Sequence, residues 1–284
     1  MVVVVVMLFA AVLIDSVPTW CWQDSISAYY YTAARNVFVA ALCCLGIMLI
    51  VFKGSADTED VLLNLAGTLA FFVAFVPIDP PASSNDKQIV PTEGERITAI
   101  TNNIGAVVIA LAVAAAIIAL GYFADRSSRN TTTPWGNWLR INSAIILAGF
   151  VMVFVLAPDL FRAGAHYVAA VLIFAIIVVV VFFNAYLVGK QDEPDRATRD
   201  RYRRRYRIIG GMMLGSVLVA VALWAAGYFF EIEGKLWNFP LFALETALLL
   251  EFAAFWAFQT VELWRHTDRM SLIDPDVHCE LAFC

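Results

Sequence analysis

The chain has 284 residues, of which 61% are hydrophobic and 15% charged, with a mean hydropathy of +0.76 and a formal net charge of -5. Soluble domains run near half apolar and a quarter charged, so this composition excludes a water-soluble globule. Its apolar residues, about 173 in all, cover the roughly 160 that eight membrane crossings of about 20 residues need, and leave no room for a soluble catalytic domain.

Apolar runs matched to the length of a bilayer crossing predict an all-α polytopic transmembrane bundle with spans at about 1–16, 35–52, 61–78, 100–123, 139–157, 165–188, 208–230 and 240–262. The first run is short and has no basic residue before it, so it reads as a span, a signal segment or a mis-called start; without it the count is seven. Asp15-Ser16-Val17-Pro18 is a poor cleavage site, which favours a span. Alternate loops collect Lys53, then Arg126, Arg129 and Arg140, then Lys190 and the arginines from Arg196 to Arg207, then Arg265 and Arg269. The opposite side keeps Arg35, Lys87, Arg96, Arg162 and Lys235. Basic loops stay in the cytoplasm, so both termini and the tail 263–284 are expected inside. Trp20, Trp22, Trp135, Trp138, Trp237 and Trp264 fall near span ends, as an interfacial aromatic belt requires.

Cys21, Cys43, Cys44, Cys279 and Cys284 have no framework spacing and imply no intramolecular disulfide. Asn130-Thr131-Thr132 fits an N-glycosylation acceptor but falls on the expected cytoplasmic side. The basic run before the seventh span abuts a membrane segment, which argues against nucleic acid as a partner. It reads first as a topology determinant continuing as the solvated start of that helix. Arg201, Arg203, Arg204, Arg205 and Arg207 are in addition candidates for contact with anionic lipid headgroups.

Polar residues inside hydrocarbon cost free energy unless paired or hydrated, and so direct the search for a site. With Leu241 at the outer face and a rise of 1.5 Å per residue, Glu245 lies roughly 6 Å in and Glu251 roughly 15 Å in, near the midplane. Glu251 and Gln259 are the candidates for an intramembrane proton site. Glu262 lies close enough to the cytoplasm to snorkel. His166 opens the sixth span after Asp159 and Arg162, the third span closes on Pro77-Ile78-Asp79-Pro80, and Asp24 to Tyr31 and then Arg35 precede the second. Ser25, Ser27, Tyr29, Asp79, Asp159, His166 and Glu245 are thus expected at one outer level, and Ser25, Ser27, Tyr29, Arg35, Asp79, His166 and Glu245 are the candidates for lining a pocket there. Whether they meet laterally depends on packing. Asn64, Asn102, Asn103 and Asn184 read as interhelical hydrogen-bond glue, and Gly211 with Gly215 as a packing signal.

The segment Ser25-Ile-Ser-Ala-Tyr-Tyr-Tyr31, then Arg35-Asn-Val-Phe-Val39, Gly54 and Pro77, resembles a family of bacterial polytopic membrane proteins without an assigned activity. His166-Tyr167, the stretch Arg201 to Arg207 and Glu245 fit that family's later pattern more loosely. Ala40 stands where the pattern carries Gly, and the hairpin at 100–158 is extra. The resemblance implies topology, candidate positions and a bacterial inner (plasma) membrane, but no reaction. A more distant likeness is to the CREST membrane hydrolases, which use a Ser, an Asp and three His around zinc; Ser27, Asp79 and His166 match three of those parts. Of the three histidines here, His266 and His278 are expected in the cytoplasm, so an outward three-His zinc site is excluded.

Three functions remain as expectations. The first is a non-enzymatic protein that binds a lipid or a partner through the outer-level pocket, needs no cofactor, and has membrane lipids, a membrane-protein partner or a second copy of itself as neighbours. The second is a proton-coupled small-molecule transporter titrating at Glu251. The third is a metal-assisted lipid hydrolase using His166, Asp79 and Glu245 at the outer leaflet.

Overall fold

The computed structural model describes residues 1–80, 89–124, 133–191, 196–230 and 239–264. The Asn130 motif, Lys87, Lys235, Trp237 and the tail from residue 265 lie outside them. The described residues form eight α-helices and no β-strand: α1 Val2–Ser16, α2 Arg35–Val51, α3 Asp57–Phe75, α4 Glu93–Ala124, α5 Pro134–Leu156, α6 Pro158–Gly189, α7 Arg196–Phe230 and α8 Phe239–Glu262. Two 3-10 turns, Val17–Thr19 and Ser27–Tyr31, sit between α1 and α2. Five of the helices (α3, α4, α5, α6 and α8) are long and apolar enough to cross a membrane.

Each helix falls on a predicted span, but α3 to α7 begin several residues earlier than the apolar runs do. The reason is local. Hydropathy marks only hydrocarbon-facing turns, whereas a helix continues into polar residues until a cap or Pro stops it. Asp57, Glu59 and Asp60 fill the first turn of α3, where carboxylates complement the helix dipole, and Pro77 prevents its continuation. Thr133 caps α5, its Oγ1 accepting from Gly136 N at 2.9 Å, with Pro134 in the first position. Ala157 alone separates α5 from α6, so Asp159 and Arg162 belong to the first turn of α6, where they pair, rather than to an outer loop. The basic run from Arg196 is likewise helical.

α3 is the centre of the bundle. Its apolar window is 72% buried, against 6% for α4 and for α5, which present their sides outward. α3 packs on α2, α4, α5 and α6, while α7 packs on α6 and α8, and α1 on α2 and α8. Phe72 meets Phe150 of α5 and Phe161 of α6 at its heart. Between α2 and α3 the backbones nearly touch: a Cβ on Gly67 would lie 2.5 Å from the Gly46 carbonyl oxygen, and one on Gly46 2.8 Å from that of Gly67. Only glycine permits that approach.

Candidate functional site at the end of the central helix

The segment before α2 has the composition of an outer loop, yet the structure buries it. Ser25 and Ser27 are buried, and Tyr29, Tyr30 and Tyr31 pack with Leu8 and Val12 of α1 and Phe38 of α2. A buried loop must find partners for its backbone. Ser25 Oγ accepts from Ala28 N at 3.0 Å, and Thr32 Oγ1 accepts from Ala34 N at 3.1 Å. The amides of Ile26 and Ser27 donate to Glu245 Oε2 at 2.5 and 3.3 Å. One turn earlier on α8, Phe242 packs on the rings of Trp22 and Tyr29. The first turns of α8 thus clasp the loop.

Ser27 stands at the junction. Its Oγ lies 3.4 Å from Glu245 Oε1 and 3.0 Å from His166 Nε2, and His166 Nδ1 lies 2.7 Å from the Val76 carbonyl. A carbonyl only accepts, so Nδ1 carries the hydrogen, and in the neutral ring Nε2 is then the acceptor. With the ring neutral, the single Ser27 hydroxyl hydrogen can go to Nε2 at 3.0 Å, in competition with Glu245 Oε1 at 3.4 Å. Pro77 explains why the Val76 carbonyl is free for this: α3 stops at Phe75, and its last carbonyls need partners from outside the helix. Tyr31 serves the same stretch, its hydroxyl donating to the Ile78 carbonyl at 2.5 Å. Burial pushes the Tyr31 phenol up to about 12 and raises that of Tyr29, which keeps both neutral. Tyr29 pairs with Ser16.

A cavity of about 90 Å³ adjoins this cluster, between α1, α2, α3, α6 and α8. Its walls are Leu, Ile, Val, Phe and Ala throughout, and its polar lining is confined to Ser27 and Glu245. One water needs about 10–15 Å³ and two to four polar partners, so this space is large enough for several waters but chemically suited to hydrocarbon.

Of the seven pocket candidates, Ser27, His166 and Glu245 converge, and Ser25 and Tyr29 brace their loop. Arg35 does not join them; it lies over the Tyr30 ring and donates to its hydroxyl at 2.8 Å. Asp79 is 70% exposed and pairs with Arg96 at 3.0 Å. The set His166, Asp79 and Glu245 is not drawn together, and among the described residues no three His, Cys, Asp or Glu side chains are grouped to hold a metal. Glu251 faces α7, with Oε1 3.0 Å from Ser216 Oγ and Oε2 without a partner among the described residues. Arg201, Arg203, Arg204 and Arg207 are exposed, and Arg205 lies over Tyr202 and Phe258.

A second polar cluster closes the other end of the same three helices. Glu59 of α3 is fully buried and accepts from Asn184 Nδ2 of α6 at 2.7 Å, Gln259 Nε2 of α8 at 3.5 Å and Ser55 N at 2.8 Å. Gln259 also donates to Asn184 Oδ1 at 3.2 Å, which joins it to this structural cluster and not to Glu251. Sequence reasoning missed Glu59, which precedes the apolar run among other acids. The signal was its phase: Glu59, Leu63, Ala66, Ala70 and Val73 form one helical stripe, and all are buried. Glu262, given no role from sequence, accepts from Tyr206.

Comparison with known protein families, curated proteins and solved structures finds no match for this chain. The site stands on its own geometry.

Proposed function

We propose that this protein is a multi-pass membrane protein that binds a lipid, taking one acyl chain into the cavity between α1, α2, α3, α6 and α8 with the chain's polar end toward Ser27 and Glu245. The observation that carries this reading is the cavity wall, apolar everywhere except at those two residues. We further read all eight helices as crossings, with both termini cytoplasmic in a bacterial inner membrane. The alternation of basic residues supports that orientation, and it sets the Ser27 cluster at the outer leaflet. The exposed arginines at the start of α7 then face the anionic inner leaflet.

Native mass spectrometry of the full chain released from gentle detergent tests the binding reading. Wild type is expected to retain a lipid adduct, and Ala70→Phe, which fills the cavity from its α3 wall, is expected to lose at least tenfold of it while melting as a folded protein. Equal adducts in both proteins would overturn the assignment of the cavity.

The unpartnered Glu251 oxygen beside Ser216 supports a second reading, proton-coupled transport along α7 and α8. Vesicles carrying the protein should then take up solute in response to a pH gradient, and Glu251→Gln should abolish the response. Uptake indifferent to that substitution would end the transport reading.

A further inference from the structure

We propose that Ser27 is a nucleophile and His166 its general base in a site that cleaves lipid esters. The proposal rests on the cavity reading above and adds a reaction to it.

Three parts of a serine acyl-transfer site are present in working order. The nucleophile and base are 3.0 Å apart, within the hydrogen-bond reach that activation of a serine requires. The base is held in the required tautomer, because Nδ1 donates to the Val76 carbonyl at 2.7 Å and leaves Nε2 free to take the Ser27 proton. A backbone carbonyl here does the orienting that a carboxylate does in the Ser-His-Asp arrangement. The amides of Ile26 and Ser27, one of them the nucleophile's own, converge on a single oxygen of Glu245. They hold one oxygen of a carboxyl group whose other oxygen lies 3.4 Å from Ser27 Oγ, and holding such an oxygen is the task of an oxyanion hole.

Glu245 also shows where the substrate goes. One of its oxygens sits on the two amides and the other 3.4 Å from Ser27 Oγ, so its carboxyl group occupies the place of an ester carbonyl awaiting attack. The hydrocarbon cavity begins at the same two residues and receives the acyl chain. In the resting arrangement Glu245 thus plugs the site, and a bound ester displaces it.

The chemistry balances with water as co-reactant. Ser27 Oγ bonds to the carbonyl carbon as its proton passes to His166 Nε2. The bond from that carbon to the alcohol oxygen breaks, and the departing oxygen takes the proton from Nε2. Water then gives a proton to Nε2 and its oxygen to the acyl carbon. The acyl bond to Ser27 Oγ breaks, and the same proton returns to Oγ. One ester and one water become one fatty acid and one alcohol.

The test is covalent labelling of the full chain in nanodiscs with a dodecyl fluorophosphonate, which loses fluoride to an activated serine, with the adduct located by peptide mass spectrometry. Adduct on Ser27 is expected, at least threefold faster in Glu245→Ala, where the plug is gone, and at least tenfold slower in His166→Gln. Failure to modify Ser27 in either wild type or Glu245→Ala would overturn the proposal, as would labelling indifferent to His166→Gln in protein whose melting shows it folded. The lipid adduct of the preceding test requires no chemistry. A chain that retains lipid but leaves Ser27 unmodified therefore defeats the nucleophile alone, and a chain that does neither defeats both readings.

Discussion

The two ends of the bundle are built from the same three helices and differ in what surrounds them. At one end α3, α6 and α8 supply the Val76 carbonyl, His166 and Glu245; at the other they supply Glu59, Asn184 and Gln259. Each cluster centres on a glutamate with backbone amide donors. At the Glu59 end the carboxyl group is met by side-chain amides from two neighbouring helices. The Glu245 end opens on an apolar cavity, and its carboxyl group is held mainly by the amides of a loop. Burial of a carboxyl group therefore does not identify a site in this protein. What sets the proposed site apart is the empty space beside Glu245 and the histidine with which it shares Ser27.

The sharpest way to break this contrast is to remove both glutamates separately and compare melting in one detergent. Glu59→Ala leaves Ser55 N, Asn184 Nδ2 and Gln259 Nε2 short of an acceptor, at about 1–3 kcal/mol for each group left unmet. It is expected to cost the most stability of any change proposed. Glu59→Gln, which keeps an oxygen there, should recover much of it.

Gly67→Ala comes next, because its Cβ meets the backbone of α2 and neither side can yield. The loss is expected at the upper end of the roughly 1–3 kcal/mol typical of overpacking. Since α2 and α3 are also walls of the cavity, lipid retention should fall with it. Glu245→Ala is expected to cost less than Glu59→Ala, because it takes the main acceptor from two amides, Ile26 and Ser27, rather than from three groups. A larger loss than for Glu59→Ala would mean that the Glu245 end is structural as well.

The smallest effect concerns pH. Tyr31 ionises near 12 in the folded protein rather than near 10, because burial disfavours the phenolate. A raised folded value gives stability that is complete below about 10 and is lost as pH rises toward about 12. Tyrosinate absorbance should therefore lose a late-titrating group in Tyr31→Phe, and alkaline melting should fall less steeply in that variant.

Much of the helical order was legible because a membrane crossing leaves a long one-dimensional signal. Apolar runs located every helix, and Pro77, Pro134 and Pro158 mark stops and starts. The common level of Ser27, His166 and Glu245 followed from the order of the spans and the ends at which these residues stand. Lateral position did not. Asp79 sits at the same expected level but turns outward to Arg96, and no periodicity in 76–80 distinguishes the two outcomes. Glu59 was hidden because its partners lie 125 and 200 residues away, and a charge at a span boundary reads as solvated until another helix covers it. Burial of the loop at Ser27 was hidden for the same reason, its cover being α8.

That dependence on α8 has a consequence in time. The chain is made from its N-terminus, so Ser27 is synthesised 218 residues before Glu245, and Glu59 200 residues before Gln259. At roughly 5–20 residues per second, both polar ends wait on the order of 10–40 s for their last partner. Over that interval the insertion machinery, and whatever guards unfinished membrane chains, handles a bundle whose two costliest groups have no final address, and the last helix to enter completes both at once.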